Sequence, residues 1–71
     1  MSRPEITWTN SQGQPIACVE KLKVLKENFD EIEGLVQDAL DDSVLMGCTQ
    51  SQVKEYLHSL IDSITSPYQE L

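Results

Sequence analysis

From Ala17 to Met46 the chain has no proline and a single glycine, and Cys18, Leu22, Leu25, Phe29, Ile32, Val36, Ala39, Ser43 and Met46 recur at alternating intervals of four and three. That spacing is an unbroken heptad seam, which predicts one long helix over about 17–46. At 1.5 Å per residue it would be roughly 45 Å long. Gly34 falls opposite the seam, where it costs roughly 1 kcal/mol against alanine without disturbing packing. Leu35, Leu40 and Val44 widen the apolar arc of the second half, which predicts contact with more than one neighbouring helix.

Gly47 and Cys48 follow, and glycine is the natural C-terminal stop of a helix. Thr49-Gln50-Ser51-Gln52 then has the form of a capping box. Its threonine oxygen would accept the Gln52 N–H, and the Gln52 side chain would reach back. Val53, Leu57, Leu60 and Ile64 repeat at four, three and four, with Tyr56 and Ile61 widening the stripe. A second helix over about 50–64 is expected, ended by Ser66-Pro67. So short a connection makes the two helices antiparallel. The fold class is therefore all-α: a helical hairpin over 17–66, with an arm before it at 1–16 and a tail after it at 67–71.

The arm is punctuated by Pro4, Asn10, Gly13 and Pro15, with a turn expected at Ser11-Gln12-Gly13-Gln14. Ile6 and Trp8 alternate with polar neighbours, as in a short extended piece. The arm has too little apolar content to fold alone, so Trp8 is expected to tack it onto the helices.

Helix two is about half as long as helix one and can cover only its second half. The seam over Cys18, Leu22, Leu25, Phe29 and Ile32 is left for a second chain, and these five residues are the expected dimer interface. Size points the same way. A chain of 71 residues is one domain with a marginal core, and such chains usually need a staple. Two cysteines cannot supply a disulfide framework, so oligomerisation is the expected staple.

Charge sharpens the picture. Twelve acidic residues against five basic ones give a net −7, which argues against nucleic acid and anionic membranes as partners. It suits a basic protein partner or plain solubility. Residues 17–26 carry a net +2 through Glu20, Lys21, Lys23 and Lys26, whereas residues 27–46 hold seven acids and no base. An antiparallel pair of first helices would set each basic start beside a partner's acidic end. No apolar run approaches the ~20 residues of a membrane span, and the Met1–Glu5 start lacks a signal-peptide core. A reduced, cytoplasmic location is expected, with both thiols free.

No enzyme signature emerges: there is neither a glycine-rich phosphate loop nor a nucleophile that sequence pairs with a base. Cys18, Cys48 and His58 are the only soft metal ligands, and no Cys-x-x-Cys or His-x-x-x-His joins them. Cys18 lies near lysines at a helix start, which favours a thiolate, but its seam position reads first as buried and apolar. Cys48 reads as a corner filler and His58 as a surface histidine. Asp38, Asp41 and Asp42 share a helix face without the loop of a calcium site. Met46-Gly47-Cys48-Thr49 imitates a helix-turn-helix corner, but the acidic helix before it would repel phosphates.

The stretches Trp8-Thr9, Gly13-Gln14-Pro15-Ile16-Ala17-Cys18, Glu20-Lys21-Leu22-Lys23-Val24-Leu25, Glu27-Asn28, Leu45-Met46-Gly47-Cys48 and Pro67-Tyr68 resemble a group of short uncharacterised bacterial proteins. The resemblance implies a bacterial, mostly helical cytoplasmic protein and brings no activity, cofactor or partner. In architecture the expected dimer is similar to a Rop-type bundle of two hairpins, an analogy that does not transfer RNA binding. The function expected from the sequence is a non-enzymatic, homodimeric protein-interaction or regulatory module without a cofactor. The alternative is a small thiol- or metal-binding protein using Cys18, Cys48 and His58.

Overall fold

The computed structural model describes residue 3 and residues 5–71; Met1, Ser2 and the arm's Pro4 lie outside the described residues. Two helices, α1 (Val19–Leu45) and α2 (Gln50–Ser63), pack against each other as a hairpin. The fold is all-α; among the described residues the only β-type pairing is an isolated Thr9–Pro15 bridge. The hairpin is elongated, 44 × 24 × 17 Å. Its long axis is close to the ~40 Å that 27 helical residues span at 1.5 Å each.

The corner forms where the sequence places it, and for the expected reasons. Gly47 has φ +103°. It donates its N–H to the Val44 carbonyl at 3.0 Å, and Cys48 donates to the Ser43 carbonyl at 2.9 Å. This is the paired closure of a Schellman motif, whose left-handed residue glycine adopts without a Cβ penalty. Thr49 is the N-cap of α2, its side-chain oxygen accepting the Gln52 N–H at 3.3 Å. No reciprocal bond from the Gln52 side chain accompanies it among the described hydrogen bonds, so half of the capping box is in place.

The arm folds back on itself. Asn10 organises it: its side-chain oxygen accepts the N–H groups of Gln12 at 3.0 Å and Gln14 at 2.9 Å. Gly13 closes the turn at φ +81°, and Ile16 donates to the Trp8 carbonyl at 2.8 Å. An asparagine that bonds its own following backbone is a common turn former. The returned arm then lies on α1. Trp8 stacks on Phe29 with ring centroids 5.3 Å apart and planes 7° from parallel.

Half-buried residues trace a single inward face. On α1 they are Leu22, Leu25, Phe29, Val36, Leu40 and Ser43, and on α2 they are Val53 and Leu57. The arm adds Trp8, Asn10 and Ile16. No described residue is fully buried. The hairpin therefore has a contact face rather than a closed core.

Candidate interaction surface

The expected interface residues divide. Leu22, Leu25 and Phe29 are half-buried on the inward face; Phe29 stacks under Trp8 of the arm, and Leu25 lies beside its Ile16. The first half of the seam is thus not bare, because the arm takes part of the role reserved for a second chain. Ile32 stays 49% exposed and Cys18 exposed. Cys18 was expected to be buried on the seam. It is instead the N-cap of α1 and makes no capping bond with its side chain, so no neighbouring turn covers it.

A clamp holds the arm across one side of α1. Arg3 pairs with Asp30, lies 3.3 Å from a Glu33 carboxylate oxygen, and donates to the Phe29 carbonyl at 3.2 Å. Lys26 completes the cluster, donating to the other Asp30 oxygen at 2.8 Å. Hydrogen bonds from Lys26 and then Arg3 hold the Asp30 carboxyl below the usual carboxylate range. The same Asp30 bond raises the Arg3 guanidinium. These groups are exposed, so the clamp orders the arm more than it stabilises the fold.

The other side of α1 is uncovered and apolar. Val24 is 53% exposed, Ile32 49% and Leu35 71%, and Met46 is exposed beyond them. With ~100° of turn per residue, these residues and Ala39 lie on one stripe beside the inward face. Tyr56 and Leu60 of α2, also exposed, precede and follow the inward Leu57 as Leu35 and Ala39 flank the inward Val36. They extend the stripe across the hairpin on the same side. The opposite groove, where Val44 of α1 meets Gln50 and Lys54 of α2, is lined by apolar and charged residues together. At the start of the stripe, Ile16 of the arm joins Val24, Leu25 and the stem of Lys21 around an open apolar hollow.

The thiol and metal alternative fares differently. Cys18 and Cys48 sit at opposite ends of α1 and are both exposed, about 40 Å apart along the helix. His58 is on the exposed surface of α2. Within one chain the three are not brought together, and the described residues contain no cluster of three or more metal-ligating side chains. Cys48 is an exposed corner residue rather than a packed filler. No described helix is long and apolar enough to cross a membrane.

No protein-family model, curated protein or solved structure matches this chain.

Proposed function

We propose that the protein is a non-enzymatic protein–protein interaction module that acts as a homodimer in a reducing, cytoplasmic setting. One observation carries this reading. A folded monomer of 8.0 kDa exposes about 4,500 Å² by the usual scaling of surface with mass, whereas this chain exposes 6695 Å². The excess of roughly 2,000 Å² per chain is on the scale of stable and obligate interfaces. A hairpin with no buried residue needs cover whenever it is folded. A second copy is the partner always present in equal amount. A basic protein could then dock on the acidic outer surface of the dimer.

Sedimentation equilibrium of the full chain at tens of micromolar should give about twice the chain mass. A monomer at millimolar concentration would sink the reading.

A further inference from the structure

We infer that the second copy docks antiparallel along the uncovered stripe of α1, in the register that sets Lys21 of one chain against Asp42 of the other. The inference rests on the homodimer reading and specifies its surface and geometry.

The stripe is self-complementary when reversed. Its positions along α1 are Lys21, Val24, Asn28, Leu35, Ala39 and Asp42, with Ile32 near the midpoint. The intervals are three, four, seven, four and three, and read the same in either direction. Two antiparallel copies centred between Glu31 and Ile32 therefore meet position for position. Lys21 faces Asp42, the larger Val24 faces the smaller Ala39, and Asn28 faces Leu35. The two Ile32 side chains meet at the dyad. A symmetric dimer requires such a self-matching patch. Near-parallel helix packing at 8–10 Å would bring these side chains into contact.

Charge selects this direction over a parallel one. Lys21 and Asp42 lie at opposite ends of the stripe, both exposed, and neither belongs to an ion pair among the described residues. Antiparallel pairing joins them twice by symmetry, whereas parallel pairing sets lysine on lysine and aspartate on aspartate. The other two lysines of the basic start do not compete. Lys26 is held by Asp30, and Lys23 lies on the far side of the helix from the stripe. Glu27, Glu31 and Asp38 form a rim on one edge of the stripe. Their mutual repulsion across the dyad is screened by solvent and opposes the apolar burial only weakly. The stripe's continuation onto Tyr56 and Leu60 lets each α2 flank the partner's α1, which makes the assembly a four-helix arrangement.

Cross-linking tests the register. In a Cys18→Ser, Cys48→Ser background, Lys21→Cys and Asp42→Cys are made as two separate chains, and their helicity is checked by circular dichroism. Under diamide, neither chain alone should form a covalent dimer, and an equimolar mixture should form the mixed dimer. Self-linking of either chain, or no linking in a mixture that still sediments as a dimer, overturns the inference while leaving the homodimer standing. A monomeric wild type removes the homodimer itself. With the native cysteines kept, Lys21→Glu should weaken dimerisation about two- to tenfold, and adding Asp42→Lys to the same chain should restore it. Failure of that rescue in a dimer that forms would also overturn the register.

Discussion

Leu35→Ala is the sharpest probe of the stripe because Leu35 does so little within its own chain. It is 71% exposed, so truncation removes few intrachain contacts. A surface change of this kind alters monomer stability by about 0.5 kcal/mol or less. Covered by a second chain, the same leucine contributes much more. Full burial of a leucine is worth roughly 1.5–3 kcal/mol, and most of that remains to be gained on association. With two copies per dimer, the loss should be about 2–4 kcal/mol, a 30- to 1,000-fold rise in the dimer dissociation constant at about 1.4 kcal/mol per decade. Sedimentation equilibrium over a concentration series reads this directly. Val19→Ala is the matched control. Val19 is 76% exposed but lies ~160° around α1 from Leu35, and its truncation should leave the constant within about twofold. A dimer that tolerates Leu35→Ala as well as Val19→Ala would refute the assignment of this face.

Two further outcomes test the intrachain account. Thr49→Ala removes the one side-chain cap on α2 and should cost about 1 kcal/mol in denaturant unfolding, with Thr49→Ser close to wild type. Asp30 has its carboxyl held low by Lys26 and Arg3, so its ion pairs are intact above the ordinary carboxylate range and are lost as pH falls through the depressed value, below about pH 4. Fluorescence of Trp8, the only tryptophan, should report release of the arm over that range, and Asp30→Asn should show the released signal already at neutral pH.

The helices were legible in the sequence because each end carries its own chemistry. Gly47 stops α1 and Thr49 starts α2, and both use the bonds their residue types offer. The division of the apolar residues was harder to read. The heptad seam assumes 3.5 residues per turn, but a straight α-helix has 3.6 and drifts ~20° per heptad. Over the four heptads from Cys18 to Met46 the drift carries one end of the seam away from the other. Leu40 turns inward in place of Ala39, and Ala39 joins the outer stripe. The arm's course depended on a tertiary contact. Nothing in the order of residues pairs Trp8 with Phe29 or Arg3 with Asp30. The turn at Ser11-Gln12-Gly13-Gln14 was legible from its residue types, but the part Asn10 plays in closing it was not. Cys18 differs for a related reason, since a seam position at the start of a helix has no preceding turn to cover it.

The hairpin also has a kinetic consequence. Nearly all of its contacts join residues close in sequence, either within a helix or across the Gly47–Thr49 corner. Low contact order makes formation of such a unit fast, on the order of microseconds to milliseconds. Encounter between chains is slower, since oriented docking proceeds at about 10⁵–10⁷ M⁻¹s⁻¹ and depends on concentration. If the chain dimerises as proposed, a newly made copy spends an interval folded in outline but uncovered, its length set by how many sister chains surround it. During that interval the stripe is open to any apolar surface nearby. The acidic rim and the net −7 would then act as a kinetic filter: they slow the approach of other acidic proteins, and of sister chains too, while in the proposed register the two Lys21–Asp42 contacts reward only the encounter that arrives reversed.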